Sequence, residues 1–461
     1  MPSSTFLLSA LTITSFSGLS SLAFSLAQPA PAAAISKGSS VAAATNAALT
    51  MKLRAATVTP TAARSPASSA CVIDPDKELW IRDLSVVEDP VRTKYVPFNP
   101  LNPSAGIWTF GRFIENMCGP NSPTDFVLHL FKQFNTMMVV NGFTEPPRPG
   151  FYSTVIQPWI DASGKELNFK IAPFRLNGFV NRLDLRSNPT YGGGGFSAGE
   201  GRVVFTILTP DGFATIGTLI LEYELVAENC EQVKAWADAW HELGALDFGP
   251  TYNERLEKIV EGFAGAGAAP HKPNGSALNQ LRTNELVGEF PWQWREFHLE
   301  TTTMLEMSTV AQTPEITLNH TKALRDFINL NEADILAENY VVPLSWQGNP
   351  FRGGVSDGEP YDAFYEAPGI LNNDARHIFS LNTCVACHSV ETGTGFFHSS
   401  PRNAGQETFL SGFLTGITVS DPVSGVPRSF NDLKRRAISM CKVLESGCDE
   451  LAVEEIVKPT H

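Results

Sequence analysis

The segment Asn382-Thr383-Cys384-Val385-Ala386-Cys387-His388 constrains this chain more than any other feature of it. Two residues between cysteines place both sulfurs along one helical turn, with the histidine next door. At that spacing two thiols reach the two vinyl groups of one haem while the adjacent imidazole binds its iron. Two other readings compete. A zinc site built this way needs a second C-x-x-C, and the sequence has none. A redox-active pair of the thioredoxin kind sits at a strand-to-helix turn, which the Gly-rich stretch ahead of residue 374 does not suggest. A plain disulfide beside an incidental histidine is the remaining alternative. The expectation is one covalent haem c on Cys384 and Cys387, with His388 as proximal ligand.

The second axial ligand decides what such a haem does. His398 lies ten residues beyond His388, in Gly395-Phe396-Phe397-His398, and is the first candidate. Met440 is the alternative, in a helix expected to start near Phe430. Its rival reading is helix core, because Ala437, Met440, Cys441 and Leu444 form one apolar stripe. His377 is a third candidate, and an open sixth position a fourth possibility. Arg402 and either Arg435 or Arg436 are candidates to pair with haem propionates.

A chain of 461 residues exceeds one ordinary core, so two or three domains are expected. Its 43% hydrophobic and 18% charged content is that of a soluble globular protein. A net charge of -14 offers no basic stripe to phosphates, which argues against nucleic acid as partner. Phe6 to Ala27 is apolar and runs into QPAPAAA, the pattern of a secretory signal covering 1–34, although no Lys or Arg precedes it. Its Ser and Gly content makes it a poor membrane span, and no later stretch is apolar enough to cross a bilayer. Residues 35–70 are Ala-, Ser- and Pro-rich and read as a linker.

Export makes disulfides expected among the cysteines outside the motif. Those five, Cys71, Cys118, Cys230, Cys441 and Cys448, are an odd number, so at least one stays free or modified. Cys441 and Cys448 are near enough in sequence to bridge each other, and two of the first three to pair in the first domain.

The fold class expected is α+β and multidomain. Residues 71–228 read as a mixed domain, with a helix over Asp125 to Asn141 and a hairpin of Arg202–Leu208 and Thr218–Leu225 about Pro210-Asp211-Gly212. Residues 229–345 read as mainly helical, with helices over Cys230–Leu243, Thr251–Ala264 and Leu318–Tyr340, the last broken at Asn331-Glu332. A strand or two is expected within Leu281–Glu300. Residues 346–461 form the expected small, mostly helical haem module. The run Gly192 to Gly195 lacks the Lys-Ser/Thr of a phosphate loop and reads as a turn, and Trp240-His241-Glu242 is not a zinc motif.

The stretch from Ala375 through CVACHSVETGTGFFH and LSGFLTG to DPVSGVPRSFNDLKRR, with GEGRVVFTIL, WADAWHELG and NEADIL upstream, resembles a group of secreted bacterial proteins with a C-terminal cytochrome c-type domain. The likeness spans about 75–440. It implies a secreted haem protein and names no substrate. In similar sequences a histidine follows the motif at a comparable distance, which ranks His398 above Met440. Related sequences can also carry a cysteine just before G-E-x-R, where this chain has Ala198-Gly199-Glu200. The resemblance thus implies that Cys230 pairs with Cys118 or Cys71.

The expected function is electron transfer by an exported c-type cytochrome, in the periplasm, at the outer surface or outside the cell, with a redox or surface partner. A peroxidase-like haem enzyme using His398 or Glu391 as acid/base is one alternative. A surface structural or binding protein without haem is the other.

Overall fold

The computed structural model describes residues 71–186, 197–358 and 363–448. The expected signal peptide, the linker and the Gly192–Gly195 turn lie outside them.

Runs rich in Val, Ile, Thr, Leu and aromatic residues build the long strands, and one antiparallel sheet organises the fold. Its strands are β1 (Trp80–Ile81), β2 (Phe174–Arg182), β3 (Ser197–Leu208), β4 (Ala214–Val226), β5 (Leu278–Glu285), β6 (Trp292–Leu299), β7 (Leu305–Ser308) and β8 (Val355–Gly358). They pair in the order β1-β2-β3-β4-β5-β6. Beyond β6, β8 pairs with its first half and β7 with its second. The β3–β4 hairpin turns at Thr209–Gly212, where Gly212 has a positive φ of 81°.

Because successive side chains point to opposite sides, the sheet has two unlike faces. Val203, Phe205, Leu219, Leu221, Leu281 and Phe297 are buried on one face. Helices α1 (Phe110–Met117) and α2 (Pro123–Lys132) join that core. Phe110 stacks on Phe174 at 4.1 Å, and Phe131, Phe134 and Phe297 continue the aromatic packing. Each such ring pair adds about 0.5–1.5 kcal/mol beyond its buried area. The other face carries Arg202, Thr206, Thr218, Glu222, Gln280, Arg282, Asn284, Trp294 and Glu296, and these are largely buried too.

The C-terminal segment covers that polar face. Arg402 N donates to Thr206 Oγ1 at 3.0 Å, Asn177 Nδ2 to Ser399 Oγ at 3.2 Å, and Asn284 Nδ2 to the Phe396 carbonyl at 3.0 Å. Helices α3 (Cys230–Gly244), α4 (Pro250–Ala264), α5 (Lys322–Leu330), α6 (Asn373–Leu381), α7 (Cys384–Cys387) and α8 (Asp432–Glu445) complete the frame. Side chains at Asn229, Thr321, Asn372 and Asn431 cap four of them, a contact worth about 1 kcal/mol each. A second, smaller core gathers Phe327, Tyr340, Phe351, Tyr365 and Phe379.

An α+β architecture is thus observed, with differences from the sequence reading. The sheet takes strands from either side of the boundaries expected at 228 and 345, so these three segments share one sheet. Three of its strands fall in the stretch expected to be mainly helical. Gln280, Arg282 and Asn284 look like surface residues in sequence but are buried, and Asn284 donates to the Phe396 carbonyl of the C-terminal segment. The helix expected over Asp125 to Asn141 ends at Lys132, and Met138–Val140 is a strand of a short hairpin with Phe143–Glu145.

The disulfide expectations are corrected. Cys71 bonds Cys441 and Cys230 bonds Cys448. Cys441 sits on α8, which packs against the residues around Pro75–Leu79 and against α3. Those neighbours bring distant cysteines closer than sequence proximity does. Cys118 is free and buried, as are the motif cysteines free. No helix among the described residues is long and apolar enough to cross a membrane.

Candidate functional site

Helix α6 leads into the motif. Cys384 N donates to Thr313 Oγ1 at 3.3 Å, and Val385 N to Ser356 Oγ of β8 at 2.9 Å, which pins α7 to the sheet edge. Val385 belongs to the smaller core and Cys387 to the larger. The motif therefore sits at the seam between the two.

After His388 the chain folds back. Phe396 N donates to the His388 carbonyl at 2.9 Å, and Phe396 takes a positive φ of 64°. The Phe396 carbonyl in turn accepts from His388 Nδ1 at 2.5 Å and from Asn284 Nδ2 at 3.0 Å. Asn284 is itself held by Trp292 Nε1 at 2.6 Å. That chain of bonds places the proton of His388 on Nδ1 and leaves Nε2 as the nitrogen with a lone pair. The ring is buried and lies against Trp294 and Trp292, at centroid distances of 4.8 and 5.8 Å. Burial pushes its pKa down to about 4, against the opposing pull of the Phe396 bond. At neutral pH the imidazole is uncharged, the form that binds metals.

Cys384, Cys387, His388 and His398 line one cavity of about 110 Å³. Its lining takes in Arg202, Arg282 and Trp294 from the polar face of the sheet, together with the buried Trp80, Arg182 and Arg436. Buried ion pairs form the floor. Arg202 and Arg282 both bind Glu222, and Arg282 also binds Glu296 at 2.9 Å. Burial opposes ionisation of Glu296, but Arg282 and the bond from His298 overcome it and hold the carboxyl down at about 2. Buried pairs of this kind seldom stabilise a fold more than apolar residues would, so a floor of them beneath a cavity points to a site.

Burial raises the Cys384 thiol to about 12 and the Cys387 thiol well above its ordinary range. Both are protonated at neutral pH, which makes them poor at thiol–disulfide exchange. Cys387 Sγ lies 3.2 Å from His398 Nε2, and His398 Nδ1 lies 2.9 Å from Ser411 Oγ.

The donor set fits a covalent haem. Two free thiols stand on one helical turn beside a neutral imidazole whose second nitrogen is fixed by a carbonyl. Trp80 Nε1, Trp294 Nε1 and Arg436 Nη1 are buried without a hydrogen-bond partner, and all three residues line the cavity. They are donors suited to carboxylates such as haem propionates. The room is tight, because about 110 Å³ is less than a porphyrin occupies, so the segment that covers the cavity must move outward for one to enter. The rings of His388 and His398 have centroids 4.3 Å apart. Two imidazoles on opposite sides of one metal, each nitrogen about 2 Å from it, need centroids about 6 Å apart. His398 must therefore move by about 2 Å to serve as sixth ligand.

The other sequence candidates lie elsewhere. Met440 is 1% exposed in the main core, its Sδ 3.6 Å from Asn181 Nδ2, and it does not line the cavity. His377 Nδ1 lies 2.6 Å from Glu391 and 3.7 Å from Asp421. Arg376 and Arg428 bind the same carboxylates, so Glu391 and His377 belong to a closed ion-pair cluster away from the cavity. Arg402 binds Glu88 and backbone carbonyls, and Arg435 bridges Asp184 and Asp432. Sequence reasoning missed Trp80, Arg182, Asn284 and Trp294, whose sole signal is membership of strands that converge on the motif. Comparison with protein-family models, with curated proteins and with solved structures finds no match to this chain.

Proposed function

We propose that this chain is an exported c-type cytochrome, with one haem joined to Cys384 and Cys387 and bound at its iron by His388. Bound haem supplies a one-electron couple, and the protein's residues fix its position and surroundings. His388 Nε2 is the ligand atom, oriented by the Phe396 carbonyl. Trp80, Trp294 and Arg436 offer donors to the propionates. Trp292 and Trp294 keep water from the imidazole.

The observation that carries this reading is the contact between His388 Nδ1 and the Phe396 carbonyl, beside two free thiols. With Nδ1 so committed and the His388 pKa down at about 4, a neutral Nε2 donor stands next to those thiols. Export is supported by the two disulfides and by the apolar N-terminal run. The protonated state of both thiols weighs against a dithiol redox role. Of the two acid/base candidates for peroxidase-like chemistry, Glu391 is tied up by Arg376 and His377, and His398 is withdrawn from that role when it serves as the sixth ligand, which is the electron-transfer reading.

The test is the mass and spectrum of the mature protein from a host that attaches haem to such motifs. One added haem, and a reduced low-spin spectrum unchanged by carbon monoxide, is the expected result. A polypeptide mass alone removes the haem reading. A carbon-monoxide-binding, high-spin haem leaves the haem and removes the carrier.

A further inference from the structure

A cleft backs onto the cavity at His388, between α6, the turn at Glu338, the strand Pro427–Phe430 and the start of α8. It holds about 310 Å³, against about 110 Å³ at His388, which puts it in the range of small-ligand sites. Asn382 and Phe413 line both spaces, so one layer of side chains parts them. The Phe413 ring lies 4.7 Å from that of His398, which lines the cavity, and 5.4 Å from that of Phe430, which lines the cleft.

Glu338 brings an unbalanced charge to this cleft. It follows the helix Glu332–Leu336, where Glu338 N donates to the Ile335 carbonyl at 2.9 Å and Asn339 N to the Asp334 carbonyl at 2.8 Å. Glu338 takes a positive φ of 54° there, at a helix end that glycine usually closes. A residue with a Cβ is disfavoured at that φ, and such residues gather where function needs them. Glu338 is half-buried, and its carboxyl accepts no hydrogen bond from the described residues. Burial pushes its pKa up, and the charge of Arg435 offsets that only in part. Arg435 is already engaged, binding Asp184 at 2.8 Å and Asp432 at 2.6 Å. Asp432 also holds Arg436 at 2.6 Å. Among the charged groups described in the lining, Glu338 alone is left without an ion-pair partner.

Four apolar side chains share the cleft with it. Ile378 and Leu381 stand about one turn apart on α6 and are half-buried. Phe413 and Phe430 bring rings from the chain that follows the motif. A carboxylate without a counter-ion, beside aliphatic and aromatic groups that are not fully covered, suits a ligand with an ammonium at one end and an apolar body behind it. Ring faces attract the same cation.

We propose that this cleft binds a small primary amine in its ammonium form, with the ammonium at Glu338 and the apolar body against Ile378, Leu381 and Phe430.

Calorimetric titration of the mature full-length protein with 2-phenylethylamine at neutral pH tests this, with 2-phenylethanol as the uncharged counterpart. Saturable one-to-one binding of the amine is expected, with the alcohol weaker. Glu338→Gln keeps the shape and removes the charge. It should weaken the amine by about tenfold, the scale of one charge-assisted contact, and leave the alcohol unchanged. Ser429→Lys adds a cation at an exposed position of the lining, so it should fold normally, and it should weaken the amine by a few-fold, less so at high salt. No saturable binding of the amine overturns the proposal. So does an alcohol that binds as tightly, or amine affinity unchanged in Glu338→Gln or in Ser429→Lys.

Discussion

Glu315 is the residue at which pH should act most clearly on this fold. It is 8% exposed, and its Oε2 has no hydrogen-bond partner. Burial, then the carboxylates of Glu145 and Asp357, push its pKa from the ordinary 4.5 to about 7. Burial raises Glu145 and Asp357 as well, each relieved in part by Arg295. The backbone leaves little slack, since a Cβ at Gly353 would meet Glu315 Oε2 at 2.8 Å and one at Gly354 would meet Glu145 Oε1 at 2.8 Å. In the unfolded chain Glu315 gives up its proton near 4.5, and in the folded chain near 7. Below 4.5 both states are protonated and folding bears no charge cost. As pH rises through 7 the folded carboxyl must ionise in place, and stability is lost. The distance from 4.5 to about 7, at 1.36 kcal/mol for each pH unit, sets a ceiling of about 3 kcal/mol. Glu315→Gln keeps the shape and removes the charge. It should stabilise the protein by about 2–3 kcal/mol more at pH 8 than at pH 5. The measurement is urea unfolding followed by near-ultraviolet circular dichroism, with disulfides intact. An identical difference between wild type and variant at the two pH values would refute the reasoning.

Two further outcomes follow from the cysteines and from the axial candidates. Replacing Cys230 and Cys448 together by Ser should cost about 2–5 kcal/mol, because their bond closes a long loop across 218 residues. Cys118→Ser, at a buried thiol that donates weakly to the Glu115 carbonyl at 3.6 Å, should change the urea midpoint far less. In the haem-loaded protein His398→Ala should turn a low-spin spectrum high-spin. Met440→Ala should leave that spectrum alone and lower stability by about 2–4 kcal/mol, as a core deletion does; a spectral change in Met440→Ala would reverse the ranking.

Local signals in the sequence were legible, and non-local ones were not. The apolar stripe within Cys230–Leu243 located α3 to the residue at its start, and Pro210-Asp211-Gly212 located the turn between β3 and β4. The period that marked Leu281–Glu300 was also readable. Its strands' place in the centre of a sheet was not, because Arg282 and Asn284 look solvated in sequence but are buried. Disulfide partners 370 and 218 residues apart leave no trace in spacing. His398 was within reach because it follows His388 by ten residues. Arg182, Asn284 and Trp294 were out of reach, since strand pairing alone brings them to the motif.

The arrangement accounts for why so short a motif rests on so large a scaffold. Five residues specify two sulfurs and an imidazole, but nothing within them sets which nitrogen of His388 carries the proton. The Phe396 carbonyl does that, and it is held by Asn284 on β5, which is held by Trp292 on β6. The orientation of one ring is thereby tied to two central strands, whose register is set by pairings such as Asn284 with Trp294 and Arg282 with Glu296. The same strands carry the buried Arg–Glu pairs under the cavity, which a fold selected for stability alone has little reason to keep. A ligand atom on a loop alone would move with the loop. Bonded into the sheet, it moves only if the sheet does, and an imidazole with a fixed tautomer is what a metal site of constant properties requires.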